Sequence, residues 1–75
     1  MKEKDNIQKK FGKHLKKLRL ERGITGAELA RRSFIDKPHI TRLEKGETNP
    51  TLYTLIKLSQ ALEISLQELF QEFKL

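Results

Sequence analysis

The sequence predicts an all-α domain of five short helices with no strands. Apolar residues recur at steps of three and four along most of the chain, which is the period of an α-helix. Glycines, an Asn-Pro pair and polar capping residues interrupt this pattern and leave connections of about three to six residues, which suit a compact bundle. With 75 residues, the chain is near the lower size limit for an unaided hydrophobic core. We therefore expect residues 1–75 to form a single five-helix bundle.

Helix 1 is predicted over residues 6–22, where one apolar stripe at helical spacing is formed by Ile7, Phe11, Leu15 and Leu18. Residues 1–6 are predicted to be a flexible basic segment. Gly23 is expected to end the helix in the left-handed conformation. Thr25 and Glu28 have the spacing of a capping box, which predicts that helix 2 begins at about residue 26.

Helix 3 is predicted to begin next to Asp36 and to end at Gly46. Pro38 is tolerated in the first helical turn, because its missing N–H has no helical partner there. It also disfavours helical dihedral angles at Lys37, so the cap is either Asp36 or Lys37.

The last two helices follow polar caps. Thr51, after an Asn-Pro turn, is expected to cap helix 4 over about 52–62. Ser65 and Glu68 form a second capping box, which predicts a fifth helix that continues to about residue 72.

The positive charge is concentrated at one end of the chain. The net charge is +6, and residues 1–22 hold nine Lys or Arg against three acidic residues. Residues 23–75 hold seven basic and seven acidic residues and are neutral as a group. A solvated helix face would account for any single lysine, but a one-sided basic excess indicates contact with phosphate.

Composition argues against several other kinds of function. There is no cysteine, so the chain has neither a disulfide framework nor a thiolate metal site. His14 and His39 lie on different predicted helices without patterned ligand partners, and we expect both at the surface and no metal. No nucleophile elbow or phosphate loop is present, so we expect no enzyme activity, cofactor or small-molecule ligand. Without a signal peptide or a membrane-length apolar run, a cytoplasmic, nucleoid-associated protein is expected.

Residues 25–46 read as two short helices joined by a tight turn. Their apolar hinge would be formed by Ala30, Ile35, Ile40 and Leu43, and the second helix carries Lys37, His39, Thr41, Arg42 and Lys45. Two helices that cross steeply after a short turn can place the second one in a DNA major groove. This pattern predicts a DNA-binding regulator.

The stretch from Phe11 to Phe70 resembles the phage-repressor, or Xre-type, helix-turn-helix domain. The motifs that carry the resemblance are Phe11-Gly12, Arg22-Gly-Ile-Thr25, Glu28-Leu-Ala30, Leu43-Glu44-Lys-Gly46, Asn49-Pro50-Thr51 and Leu69-Phe70. The resemblance implies a lambda-repressor-like fold in which helices 2 and 3 form the helix-turn-helix. It also implies sequence-specific binding of double-stranded DNA by a homodimer on a palindromic operator.

The resemblance assigns expected roles to individual residues. Base-reading candidates are Lys37, Pro38, Thr41 and Arg42, of which Arg42 is the strongest because guanidinium can bond guanine in a bidentate manner. Two alternatives are that Lys37 reaches only a phosphate and that Arg42 is a phosphate anchor. Phosphate or groove contacts are expected from Thr25, Gly26, Ala27, His39, Lys45 and Thr48. Arg19 and Glu44 match positions that pair between helices 1 and 3.

Three residues depart from the family pattern. Gly26 stands where relatives often have a glutamine that contacts phosphate and braces the recognition helix. Phe34 stands in the turn where Gly or Asn is usual, so a left-handed backbone would be strained there. Pro38 occupies a common base-reading position but can offer only apolar contact, for instance to a thymine methyl group.

The C-terminal tail stays apolar to its last residue. We expect Leu69, Phe70, Phe73 and Leu75 to form a homodimer seam. Two alternatives are that Leu69 and Phe70 complete the core while the rest frays, or that the tail captures a different protein. Capture of a different protein would make the chain an antitoxin or another protein-interaction module.

Overall fold

Within residues 2–71 and 73, which the computed structural model describes, the chain forms five helices and no strand. Side chains are described for residues 6–71 and 73. The helices are α1 (Lys2–Glu21), α2 (Gly26–Ser33), α3 (Lys37–Lys45), α4 (Leu52–Ala61) and α5 (Leu66–Leu69). The predicted all-α fold with five helices is therefore confirmed.

Two helix boundaries differ from the prediction. α1 begins at Lys2 rather than at residue 6, so residues 2–5 continue the helix instead of forming a separate segment. Their Lys and Glu residues are good helix formers, and no glycine or proline interrupts them. α5 ends at Leu69 rather than near 72, because the chain turns at Phe70 and brings Phe73 against α1.

The core lies between α1 and the four shorter helices. Its buried apolar residues are Phe11, Leu15, Leu29, Ala30, Ile35, Ile40, Leu43, Leu58, Ala61, Leu62 and Leu69. All four residues of the predicted apolar hinge between α2 and α3 belong to this cluster. Ile7, which was predicted on the apolar stripe of α1, is 42% exposed because α1 projects beyond the core at its N-terminal end.

α1 and α3 approach each other closely at two glycines. A Cβ atom placed on Gly12 would lie 2.5 Å from the backbone oxygens of both Leu43 and Glu44. A Cβ atom on Gly46 would lie 2.5 Å from the Cα atom of Lys9. Side chains at these positions would therefore force the two helices apart, and the close crossing fixes α3 against α1.

The first four helices end in the same hydrogen-bonding pattern. In each, one residue just beyond the last helical turn adopts positive φ. The N–H of the residue that follows it donates to the carbonyl five positions earlier in the chain. Two of the left-handed residues are the glycines Gly23 and Gly46, as predicted. The other two are Phe34 (φ 58°) and Glu63 (φ 59°), whose side chains make this conformation costly.

The helix N-termini only partly match the predicted caps. Ser65 and Glu68 form the complete predicted capping box. At α2, Thr25 Oγ1 accepts the Glu28 N–H at 3.0 Å, but the Glu28 carboxylate pairs with Arg31 and Arg32 instead of reaching back. Asp36 occupies the cap position of α3 without a side-chain hydrogen bond.

The C-terminal residues pack mainly within the protomer. Leu69 is fully buried, so its prediction as a dimer contact is wrong: the short α5 directs it into the core. Phe70 is 39% exposed, and its ring lies 5.9 Å from that of Phe11. Phe73 packs edge-on against Phe11 at 6.0 Å. Leu75 lies outside the described residues.

His14 is not the surface residue that was predicted. Its ring packs at 5.5 Å from the ring of Phe73, and its Nε2–H donates to the Leu69 carbonyl at 2.6 Å. These contacts attach the end of α5 to α1. The apolar tail that motivated the protein-capture alternative is thus partly covered by the chain's own α1.

Candidate nucleic-acid interface

α3 has one buried face and one exposed polar face. Ile40 and Leu43, which are both 1% exposed, fix the buried face in the core. The exposed residues of the helix include four predicted contact residues: Lys37, Pro38, Arg42 and Lys45. Thr41 and His39 are half-buried at the borders of this face. Since residues three or four apart share a helix face, the buried pair leaves the Lys37–Thr41–Arg42 side open to a partner.

The start of α2 lies beside the start of α3. Thr25 and Ala27 are exposed, and Gly26 is half-buried. The turn of three residues between the two helices, Phe34 to Asp36, brings the helices together, and Ile35 anchors it with only 6% exposure. The structure therefore brings the predicted phosphate contacts of α2 close to the predicted reading helix.

Lys37 connects the start of α2 with the exposed face of α3. Its Nζ donates to Thr41 Oγ1 at 3.1 Å, and Thr41 Oγ1 donates to the Lys37 carbonyl at 3.2 Å. A Cβ atom placed on Gly26 would lie 3.0 Å from Lys37 Cε and 3.7 Å from its Nζ. The lysine side chain thus lies across Gly26, a contact that no motif in the sequence predicts.

Arg19 and Glu44 form the predicted pair between α1 and α3. Arg19 Nε and one guanidinium nitrogen donate to the two Glu44 carboxylate oxygens at 2.7 and 3.2 Å, and another nitrogen donates to the Ile24 carbonyl at 2.8 Å. Both side chains are only 11% exposed. The hydrogen bonds to Glu44 raise the pKa of Arg19 above its ordinary value. The pair therefore fixes α3 relative to α1 and to the loop before α2.

The C-terminal end of α3 continues into the basic surface of α1. Lys45 and Glu47 line an open groove together with Lys9 and Lys13 of α1. This juxtaposition follows from the close approach of Gly46 to Lys9. Thr48 is half-buried in the loop that follows. Part of the basic surface of α1 therefore lies next to the C-terminal end of α3, together with the acidic side chains of Glu44 and Glu47.

Three further contacts were not predicted. Lys57 of α4 lies over the Tyr53 ring, 4.8 Å from its centre, and donates to the Phe34 carbonyl at 3.4 Å. Arg22 Nε donates to the Leu62 carbonyl at 2.8 Å and so holds the end of α4 against α1. The Lys57–Phe34 and Arg22–Leu62 hydrogen bonds join distant parts of the chain, which helical periodicity does not report, whereas Lys57 and Tyr53 are four residues apart on the same helix.

The described part of the chain contains no group of three or more His, Cys, Asp or Glu side chains placed to hold a metal ion. Nor does any helix in that part have the length and apolar character needed to cross a bilayer.

The helix-turn-helix family model HTH_3 matches residues 15–69, which include all of α2, α3 and α4. The chain therefore belongs to this family, the Xre type that the sequence resembles. It is a family of DNA-binding transcription regulators and not of enzymes.

Several relatives match most of the chain. An uncharacterized HTH-type transcriptional regulator from Sinorhizobium fredii is 39% identical over 64 residues, with 85% of this chain and 83% of the relative covered. Control protein C.MunI from a Mycoplasma species is 35% identical over 75 residues, with 93% and 96% covered. The solved structure of the restriction-modification controller C.AhdI from Aeromonas hydrophila has a TM-score of 0.81 and 36% identity, with 84% and 96% covered.

Proposed function

We propose that this chain binds a palindromic DNA operator as a homodimer and regulates transcription from it. The observation that carries the proposal is the geometry of α3. Its apolar face is locked in the core while Lys37, Thr41 and Arg42 face outward beside the start of α2. A helix held in this way can enter a major groove while the preceding helix contacts the DNA backbone.

In this proposal, the exposed face of α3 reads the bases. Arg42 bonds a guanine, Thr41 contacts a thymine methyl group, and Pro38 adds apolar contact. The surrounding residues hold the DNA backbone, and these are Thr25, Gly26, Ala27, His39, Lys45 and Thr48. Their positions around α3 support this division, because phosphate contacts orient a protein on DNA while base contacts select the sequence.

The homodimer uses the C-terminal surface that includes Phe70 and Phe73, together with Leu75. Phe70 is the strongest of these three candidates, because it remains 39% exposed beside α1. A twofold arrangement would set the two copies of α3 about 34 Å apart, one turn of DNA. Binding to chromosomal DNA would place the protein in the cytoplasm with the nucleoid, and no cofactor or small ligand is required.

The similarity to control proteins over nearly the whole chain favours one biological context. C.MunI and C.AhdI are each covered to 96% of their length, so they carry little beyond the domain described here. We therefore propose that this chain controls a restriction-modification system.

The salt dependence of DNA binding tests the proposal. If each half-site engages about four phosphates, the dimer neutralises about eight, and log K against log[salt] should have a slope near −7. Substitution Lys45→Ala should make that slope shallower by about two for the dimer. Affinity that does not change with salt, or no binding to any duplex in a random pool, would contradict the proposal.

Dimer formation is tested separately by sedimentation equilibrium. Phe70→Lys should lower the dimer fraction, whereas Leu20→Lys should leave it unchanged, because Leu20 is an exposed apolar residue of α1 (58%) outside the proposed surface. A wild-type protein that stays monomeric at high micromolar concentration would contradict the homodimer.

A further inference from the structure

Gly26 is the first residue of α2, and Lys37 is the first residue of α3. The lysine stem lies over the glycine, with Cε 3.0 Å and Cδ 3.6 Å from the position that a Cβ atom at Gly26 would occupy. The first of these distances is too short for an unstrained contact with a real side chain. A side chain at position 26 would therefore push the flexible end of Lys37 aside by a few tenths of an ångström, and a branched residue such as valine would push it further.

The far end of the same lysine is held by its own helix. Lys37 Nζ donates to Thr41 Oγ1 at 3.1 Å, and the threonine hydroxyl is itself oriented by its bond to the Lys37 carbonyl. Lys37 is thus supported along its stem by Gly26 and at its ammonium by Thr41. The ammonium is held beside the start of α2, where the phosphate contacts are proposed, instead of extending freely away from α3.

We infer that Gly26 is a positioning residue for DNA recognition, which holds Lys37 as a contact to the DNA backbone rather than a reader of bases. The inference rests on the proposed function and refines the role of Lys37 within it. A long lysine side chain loses rotamer freedom when it binds, and support from Gly26 and Thr41 removes part of that loss in advance.

This arrangement predicts a specific set of binding effects. Lys37→Ala should weaken binding to all duplexes alike and leave base preferences unchanged. Its salt slope should be shallower by about 1.8, which corresponds to one phosphate contact per protomer. Gly26→Val, which displaces Lys37 without adding a hydrogen-bonding group, should weaken binding about 2- to 10-fold per half-site.

A double-mutant cycle separates positioning from a general structural effect. In the Lys37→Ala background, Gly26→Val should change affinity by less than about twofold, because the side chain that it displaces is gone. Leu20→Val is the control, since it places a valine at an exposed helical position (58%) that lies outside the proposed DNA contacts. It should leave affinity unchanged in both backgrounds. Circular dichroism would establish that each variant is folded, and Gly26→Ala replaces Gly26→Val if the valine variant is not.

The outcomes distinguish the inference from the function on which it rests. Wild-type protein that binds no duplex selectively would overturn both. If wild-type protein binds selectively, the inference alone is overturned by either of two results. One is loss of a base preference in Lys37→Ala, and the other is an equal effect of the Gly26 variant with and without Lys37.

Discussion

Arg19 and Glu44 show how a single pair can determine the position of α3. Their two hydrogen bonds, at 2.7 and 3.2 Å, join α1 to α3, and each side chain is only 11% exposed. A charge that is largely removed from water depends on its partner, so losing one member costs more than the pair itself contributes.

Glu44→Ala should therefore lower the free energy of unfolding by about 2 kcal/mol, because two N–H groups of the Arg19 guanidinium lose their carboxylate acceptor. Thermal unfolding measures this loss. Glu47→Ala, at an exposed acidic neighbour, should stay within about 0.5 kcal/mol. An unchanged melting temperature in Glu44→Ala would show that the pair adds nothing to stability.

Phe34 combines an unfavourable backbone with an exposed side chain. It has φ 58° and ψ 35°, and its side chain is 88% exposed. Phe34→Asn should raise the free energy of unfolding by about 1 kcal/mol, because asparagine tolerates the left-handed region better. Phe34→Ala, which keeps the strain, should give no such gain in urea unfolding. Equal effects of the two substitutions would mean that the phenyl ring, and not the backbone, determines the energy.

At the level of elements, the crossing of α1 and α3 depends on Gly12. Gly12→Ala would place a methyl group 2.5 Å from two α3 carbonyl oxygens, which belong to the backbone and cannot rotate away. We expect a loss of about 3 kcal/mol in the free energy of unfolding. Gly26→Ala is the matched control, since it meets only a flexible lysine side chain and should not destabilise the fold. Tolerance of Gly12→Ala would contradict the crossing geometry.

α2 contains a pH-sensitive group of charges. Hydrogen bonds from Arg31 and Arg32 lower the pKa of Glu28 from its ordinary value of 4.5. A lowered pKa stabilises the folded state above the ordinary pKa, and this contribution is lost as the pH falls through the folded value. The stability difference between wild type and Glu28→Gln should therefore shrink on acidification and at high salt, as measured by urea unfolding at several pH values. A difference that grows as the pH falls would contradict this assignment.

At the scale of the whole molecule, local signals predicted the elements but not all of their contacts. Periodicity located the five helices, and the glycines Gly23 and Gly46 marked two of the left-handed helix ends. Glu63 adopts the same conformation without any sequence signal, because the packing of α4 and α5 requires the turn. The prediction that α5 continues to about residue 72 was wrong, because the end of the helix is set by the contact of Phe73 with Phe11.

The site was predictable to a similar extent. Helix direction alone indicated which α3 side chains face outward, because Ile40 and Leu43 had to face the core. The position of Lys37 over Gly26 was not predictable, since it joins two helices and depends on the geometry of their turn. The same holds for His14, whose partner Leu69 is 55 residues away in sequence.

Selection of binding sites from a random duplex pool is the sharpest test of whether the exposed face of α3 reads DNA bases. Wild-type protein should enrich a palindromic site that contains a preferred guanine in each half. Arg42→Ala should lose about 1–3 kcal/mol per half-site on that site and flatten the preference at one base pair. Enrichment of no sequence, or a selected site whose base preferences survive Arg42→Ala intact, would contradict the account.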